Sequence, residues 1–185
     1  VPLRKGKTRM VVTIHDLIHW LFRKDFFSPL QGFYAGKMLR RAVGEADHMI
    51  AVSERTKRDL VQHFDADPKR ISVIYEAVSE DFRPVSERGP VEALRKKYGL
   101  PEKFFLYVGM IKPHKNVAWL IKFFKKYQRD FSAGLVLVGP LDKKYREAAQ
   151  LLSRAALKAP LYHLPYVKKN ELMAFATLAD ESGSV

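Results

Sequence analysis

Short apolar runs rich in β-branched residues alternate with longer amphipathic segments along most of this chain of 185 residues. Runs of the first kind are typical of buried parallel strands, and the amphipathic segments are typical of helices that pack on a sheet. The alternation therefore predicts an α/β protein in which parallel strands carry helices on both faces. The expected strands are Met10–Leu17, Asp47–Glu54, Pro68–Val78, FFLYVGMI, GLVLVGP and LYHLPYV.

A polar stretch, SEDFRPVSERGP, interrupts this alternation after the third expected strand. It contains two prolines and a glycine and has no apolar period, which is typical of a linker between domains. We therefore predict one α/β segment over residues 1–83, a linker over 84–90 and a second α/β segment over 91–185. Only three strands are expected in each segment, so both are expected to be incomplete domains.

Local signals predict where several helices begin and end. Ser28 is expected to cap a helix that starts at Pro29, Ser53 to cap the next helix towards Thr56, and Gly99 to close a later one. The expected apolar stripes are Phe33, Met38, Leu39 and Ala42 in the helix after Ser28, and Leu120, Phe123, Phe124 and Tyr127 in the helix after Asn116.

The composition is that of an ordinary globular protein with a strong basic excess. The net charge is +13, and residues 86–185 hold 18 lysines and arginines against nine acidic residues. Such an excess attracts phosphate, whether in a nucleotide, a nucleic acid or a lipid surface, and charge alone does not choose among them. The absence of cysteine excludes disulfides and thiolate metal sites and suits a cytosolic protein. No apolar run approaches the roughly 18 residues of a membrane span.

The strongest chemical signal is the stretch LYVGMIKPHKN, which leads from an expected strand into an expected helix. Ligands of open parallel sheets bind at the carboxyl ends of the strands. Gly109 lets the backbone approach a ligand there, and Asn116 is expected to cap a helix whose start favours phosphate. Lys115 adds a full positive charge at the same point, whereas Lys112 fits a solvated loop residue. Gly139, in LVLVGP, repeats the arrangement more weakly and also fits an ordinary turn.

His15 is the other candidate, because it ends the first expected strand in TIHDL. A histidine there can exchange a proton with a bound group, and it also fits a histidine held by backbone partners. The other histidines show no metal-binding spacing, and the sequence has no GxSxG, Walker or GxGxxG pattern.

The order of these motifs resembles that of GT4-type retaining glycosyltransferases of the GT-B fold. The resemblance runs from about Arg9 to Asp180 and rests on VVTIHDL, LRRAVGEADHMIAVSERTKRDL, PKRISVIYEAVSEDFRP, FLYVGMIKPHKNVAWLI and LVLVG. It implies two Rossmann-like domains that face each other across a cleft, with the acceptor bound by the first and a nucleotide sugar by the second.

The resemblance also implies roles for individual residues. Lys115 resembles the lysine that contacts the donor diphosphate, and His114 stands where many relatives have arginine. His15 resembles the histidine of the HD motif near the reacting sugar, and Ser53 is a weaker candidate on the acceptor side. The donor is then a substrate, and no cofactor or metal is expected.

Two family features are missing from the sequence. The first strand with its glycine-rich loop would precede residue 1, and the E-x7-E pair that holds the donor does not begin at Glu181. The chain is therefore expected to be a fragment with little activity alone, from a cytoplasmic enzyme that works on a glycan or lipid-linked acceptor at the inner membrane face. The alternatives are a non-catalytic basic module for nucleic acid or another anionic polymer, which is disfavoured because most aromatics fall at core positions, and a remnant that folds incompletely.

Overall fold

The computed structural model describes residues 8–80, 82–127, 130, 133–155 and 161–181. The chain divides into two compact units, residues 1–78 and residues 79–185. Each unit contains a three-stranded parallel sheet, in the order β1-β2-β3 in the first and β4-β5-β6 in the second. The predicted α/β class with two parallel-sheet segments is therefore confirmed.

The first unit places β1 (Val11–Ile14), β2 (His48–Ala51) and β3 (Ile71–Val73) side by side, with Val12 opposite Met49 and Ile50 opposite Ser72. Its helices are α1 (Ile18–Leu21), α2 (Pro29–Glu45) and α3 (Glu54–Phe64). The strands are shorter than the sequence predicted. The third shows this most clearly, because a 3₁₀ turn occupies Pro68–Arg70 and the chain leaves the sheet after Val73.

Helix α2 begins where the sequence predicts. Ser28 and Gln31 form a capping box, and Pro29 is the first helical residue, a position at which proline loses no helical hydrogen bond. Two glycines one turn apart on α2 then allow close packing of the preceding segment. A Cβ at Gly32 would lie 2.7 Å from Cβ of Arg23, and one at Gly36 would lie 2.5 Å from Cζ3 of Trp20.

The core of the first unit lies between the sheet and these helices, and it includes Met49, Ala51 and Leu60, all fully buried. The predicted apolar stripe of α2 is correct for Leu39 and Ala42, which pack in this core. It is wrong for Phe33, which is 69% exposed. Gly36 and Val43 are buried on this helix instead, because the glycines bring α2 close to its neighbours.

The second unit contains β4 (Phe104–Val108), β5 (Gly134–Val138) and β6 (Leu161–Leu164), and Leu106 lies opposite Val136. Its helices are α4 (Arg88–Tyr98), α5 (Val117–Tyr127), α6 (Arg146–Ala155) and α7 (Lys169–Glu181). Helix α4 starts inside the stretch 84–90 for which the sequence predicts a linker. It ends at Gly99, whose φ of 60° is the left-handed conformation expected of a helix-closing glycine.

Strand β5 is buried along its whole length, and its side chains alternate between two apolar clusters. Val136 and Val138 pack with residues of α4 and α7, whereas Leu135 and Leu137 pack with residues of α5 and α6. Helices therefore cover both faces of this sheet, as the apolar runs of the sequence predicted. On the first face, Glu171 of α7 binds Lys97 of α4, and the Lys97 ammonium holds the pKa of Glu171 below its usual value.

The predicted apolar stripe of α5 is correct for Phe124, which is buried, and wrong for Phe123, which is 38% exposed. The buried positions are Val117, Ala118, Ile121 and Phe124. Phe123 instead stacks on Trp119, with ring centroids 5.1 Å apart, so the aromatic side chains of this helix partly cover one another. Of the helices that the structure describes, none has both the length and the low polarity that crossing a bilayer requires.

Candidate functional site

The carboxyl ends of β4 and β5 continue side by side beyond the sheet. Gly109 N–H donates to the Val138 carbonyl at 2.9 Å, and Ile111 N–H donates to the Pro140 carbonyl at 2.9 Å. Asp142 N–H donates in return to the Ile111 carbonyl at 3.0 Å. The loop that contains KPHKN and the loop that contains DKK are therefore joined at one edge of the sheet, where ligands of parallel sheets bind.

Two glycines make this junction possible. Gly109 and Gly139 have φ values of 142° and 138°, which side chains rarely allow. A Cβ at Gly139 would overlap the Gly109 carbonyl oxygen and lie 2.7 Å from its carbonyl carbon. A Cβ at Gly109 would meet only the Tyr107 hydroxyl, at 3.5 Å. The buried Gly139 thus allows the two loops to approach each other. The more accessible Gly109 is required because its backbone has a positive φ.

The basic stretch forms a 3₁₀ turn, Pro113–Lys115, and Asn116 follows in the left-handed conformation with φ 53° and ψ 28°. Residues that cap a helix start are typically extended, so Asn116 departs from the conformation that the prediction assumed. Its carbonyl nevertheless accepts the N–H groups of Trp119 and Leu120, at 3.1 and 3.3 Å. Lys115 thus lies two residues before the first residue of α5.

Tyr145 also holds the start of α5, and the sequence did not single it out. Its ring is buried, and its hydroxyl accepts a hydrogen bond from Ala118 N–H at 3.3 Å. One of the first amides of the helix is therefore already bound within the protein. The usable signal in the sequence was the similarity of the loops after β4 and β5. In each loop a Val-Gly pair is followed by an aliphatic residue and lysines.

The charge at this edge is positive. Lys115, Lys143 and Lys144 are exposed, Lys112 is half-buried, and none of these four forms an ion pair with a carboxylate in the part of the chain that the structure describes. Asp142 lies among them, and its Oδ1 accepts the N–H of Lys144 at 2.9 Å. His114 is half-buried in the same turn. The edge can therefore attract an anion.

The first unit brings its own candidates to the carboxyl edge of its sheet. His15 follows β1, Ser53 follows β2 and Glu76 follows β3. Nδ1 of His15 lies 2.8 Å from Oε1 of Glu76, and the two side chains are 67% and 66% exposed. The sequence did not single out Glu76. Its place just after the third strand was the usable signal.

Ser53 has a structural task at this edge. Its hydroxyl caps α3 by accepting Thr56 N–H at 3.0 Å, as the sequence predicted. The Thr56 hydroxyl in turn donates to the backbone carbonyl of His15 at 3.2 Å. Ser53 and Thr56 therefore tie the start of α3 to the end of β1 and help to place His15.

The described residues at these two sheet edges are not arranged as a metal site. Within residues 8–80, 82–127, 130, 133–155 and 161–181, no group of three or more His, Cys, Asp or Glu side chains is placed to hold a metal ion. Two of the histidines have partners within the protein: Nε2 of His48 lies 2.9 Å from the Ser72 hydroxyl, and Nε2 of His163 lies 2.9 Å from the Gly139 carbonyl.

Sequence comparison connects these features with known proteins. Residues 1–82 match the family model Glycosyltransferase Family 4. The O-antigen chain mannosyltransferase RfbU of Salmonella typhimurium is 27% identical over 173 residues, a match that covers 93% of this chain and 43% of RfbU. The chain is therefore similar in sequence to GT4-type glycosyltransferases. The serotype-specific mannosyltransferase WbdA of Escherichia coli is 29% identical over 126 residues, which are 65% of this chain and 15% of WbdA.

The fold of the chain is also similar to that of solved glycosyltransferases. Anabaena Alr3699/HepE, crystallised with UDP and glucose, matches with a TM-score of 0.69 at 20% identity, over 93% of this chain and 45% of HepE. The predicted GT-B resemblance is therefore confirmed at the level of the fold. The chain spans less than half the length of each of these three proteins.

The close approach of the two loops gives a first testable prediction. Gly139→Ala forces a side chain into the Gly109 carbonyl at a strained φ, so we expect the free energy of unfolding to fall by at least about 2 kcal/mol. Gly89→Ala is the matched control, because a Cβ there meets nothing within 4 Å and the residue lies in α4 of the same unit. Urea unfolding of both variants measures the difference. Equal stabilities would show that the loops do not need this contact.

Proposed function

We propose that this chain is part of an enzyme that transfers a hexose from a nucleoside-diphosphate sugar to a glycan or lipid-linked acceptor. The transfer retains the configuration at the anomeric carbon and needs no metal ion. The observation that carries the proposal is the cationic edge of the second unit, where Lys115 precedes α5 and a second lysine-bearing loop is bonded alongside. The similarity of the sequence and fold to GT4-type glycosyltransferases supports a role for this edge in sugar transfer.

The chemistry of the transfer explains why such an edge is useful. The bond between the anomeric carbon and the diphosphate oxygen breaks, the acceptor oxygen bonds to the same carbon, and the nucleoside diphosphate leaves. Negative charge therefore builds on the leaving oxygen. Lys115 and the start of α5 are positive groups that stabilise this charge in the transition state. We assign Gly109, His114 and Asn116 to the same diphosphate site, because they lie in the loop that carries Lys115.

His15 is proposed as the catalytic group of the first unit. Because Nδ1 contacts Glu76, Nε2 is the ring nitrogen that stays available to bind a hydroxyl of the transferred sugar. Glu76 acts through His15 and is therefore a positioning residue. Ser53 contributes by fixing the backbone of His15 through Thr56.

The relatives narrow the proposed substrates. RfbU and WbdA are named mannosyltransferases, the first of an O-antigen chain, and HepE was crystallised with UDP and glucose. We infer a hexose donor and a polysaccharide acceptor from these names. An acceptor of this kind that is carried on a lipid would place the enzyme at a membrane surface, which the basic character of the chain also favours.

The diphosphate site is tested by Lys115→Ala in the enzyme. We expect kcat/KM to fall by about 10²–10³, the loss typical of a removed transition-state donor. Binding of UDP or GDP should weaken, whereas binding of the uncharged nucleosides should not change. Isothermal titration calorimetry with each nucleoside diphosphate and its nucleoside measures the two affinities.

Lys103→Ala is the matched control, because Lys103 is exposed just before β4, at the opposite edge of the same sheet. It removes one positive charge from the same unit and should leave both measurements unchanged. If the two variants lose diphosphate binding equally, the effect is one of net charge, and Lys115 has no specific role.

The proposed metal independence has its own measurement. Lysine and helix-start charge can neutralise the leaving group, so we expect transfer rates with excess EDTA to stay within about twofold of the untreated enzyme. A loss of activity that added Mg²⁺ or Mn²⁺ restores would contradict this part of the proposal.

The pairing of His15 with Glu76 is tested by a double-mutant cycle. Glu76→Gln should lower kcat about tenfold with little change in the KM of the donor, because the imidazole loses its orienting carboxylate. In a His15→Ala background the same substitution should have no further effect. Glu54→Gln, at an exposed position of the same unit, should be neutral in both backgrounds. Additive losses, or a lowered melting temperature in Glu76→Gln, would show that Glu76 does not act through His15.

A further inference from the structure

The first unit holds a second feature that the proposed transfer chemistry does not use. A cavity of about 590 Å³ opens beside α2, and its walls combine aromatic rings with positive charges. This volume is typical of sites for small organic ligands. The side chains that matter are Trp20, Arg23, Lys24, Phe27, Phe33 and Arg40.

Two guanidinium groups lie over one ring of this cavity. The Cζ atoms of Arg23 and Arg40 are 4.0 and 5.0 Å from the centroid of Trp20. Nη1 of Arg23 also donates to the Trp20 carbonyl at 2.7 Å, which fixes the side chain. An arginine has five N–H donors, so most of those on Arg23 remain for a ligand. Two positive charges near one ring attract an anion to this cavity.

Carboxylates do not supply that anion. The ion pairs among the described residues of the first unit are His15–Glu76, Arg41–Glu45 and Arg55–Asp59. Arg23, Lys24 and Arg40 are in none of them. Planar guanidinium groups bind phosphate oxygens in a bidentate manner, so a phosphate is the anion that fits this pair best.

The packing that creates the cavity is specific. Gly32 and Gly36 leave room for Arg23 and Trp20 against α2, since a Cβ at either glycine would collide with them. Arg23 and Trp20 are therefore packed against the backbone of α2.

An apolar surface adjoins these cations. Leu30, Phe33 and Tyr34 lie within one turn of α2 and are 76%, 69% and 63% exposed. Large exposed apolar side chains that cluster in this way mark interaction sites. Phe33 belongs both to this surface and to the cavity wall, so a ligand with a phosphate and an apolar tail would meet both.

We propose that this cavity binds the phosphate of a lipid-linked acceptor, with the lipid lying against Leu30, Phe33 and Tyr34. The proposal rests on the proposed function, because it names the acceptor class of that reaction. It assigns to Arg23 and Arg40 the phosphate contacts, to Lys24 a supporting charge, and to Trp20 the platform that orients the two guanidinium groups.

Binding to vesicles tests the proposal. The probe is polyprenyl phosphate in phosphatidylcholine vesicles, compared with phosphatidylcholine alone and with phosphatidylglycerol vesicles of equal charge. We expect the chain to bind the polyprenyl phosphate vesicles at least about tenfold more tightly than either of the others. The double variant Arg23→Gln, Arg40→Gln should lose this preference. Phe33→Ser, at an exposed position, should weaken vesicle binding because it removes part of the apolar surface. The concentration of inorganic pyrophosphate that displaces the protein from the vesicles should stay the same.

The matched control is Arg58→Gln, at an exposed position of α3 in the same unit. The chain has two tryptophans, so Trp119→Phe leaves Trp20 as the reporter of the cavity, and its fluorescence should respond to polyprenyl phosphate. Equal binding to phosphatidylglycerol vesicles, an equal loss in Arg58→Gln, or a Trp20 signal that does not change would each overturn the proposal.

The outcome is separable from that of the proposed transfer reaction. The vesicle assay contains no sugar nucleotide, so Lys115→Ala should bind polyprenyl phosphate normally. The double arginine variant should in turn bind UDP or GDP normally. Loss of both activities in both variants would mean that the substitutions act on folding, and it would contradict the assignment of two separate sites.

Discussion

The candidate donor site depends on the close approach of two backbone segments, at Gly109 and Gly139. The hydrogen bonds between the strands do not stop at the end of the sheet but continue to Ile111 and Asp142. This continuation is possible only because Gly139 has no Cβ, since any side chain there would overlap the Gly109 carbonyl. Tyr145 then binds Ala118 N–H and joins the second loop to the start of α5. The lysines of both loops are thereby held at one edge of the sheet.

The first unit reaches a comparable arrangement by different means. Its strand ends are connected by side chains: the Ser53 cap of α3 holds Thr56, and Thr56 holds the carbonyl of His15. Glu76 reaches His15 from the third strand. An arrangement built from side chains is easier to vary than one built from glycine backbone. We therefore expect the chemistry of this unit to be the more variable of the two among related enzymes.

The sequence predicted the parts of the structure that depend on local chemistry. The capping box of Ser28, the cap at Ser53 and the closing glycine Gly99 all behave as short-range rules require. The parallel sheets followed from the apolar runs, and the similarity to GT4-type glycosyltransferases followed from the order of the motifs.

What the sequence could not predict depends on distant contacts. Phe33 and Phe123 fit helical apolar stripes, but close packing at Gly36 and stacking on Trp119 leave them exposed. Glu76 and Tyr145 act on residues 61 and 27 positions away, which no local pattern reveals. The cavity beside α2 could not be predicted for the same reason, since it exists only when Arg23 and Trp20 pack against Gly32 and Gly36.

A crystal structure of the enzyme with a bound nucleoside diphosphate tests the central claim most directly. The account predicts a phosphate oxygen within about 3 Å of Nζ of Lys115, beside the turn Pro113–Lys115 and the first residues of α5. A diphosphate bound elsewhere, with the Lys115 ammonium directed into solvent, would contradict it.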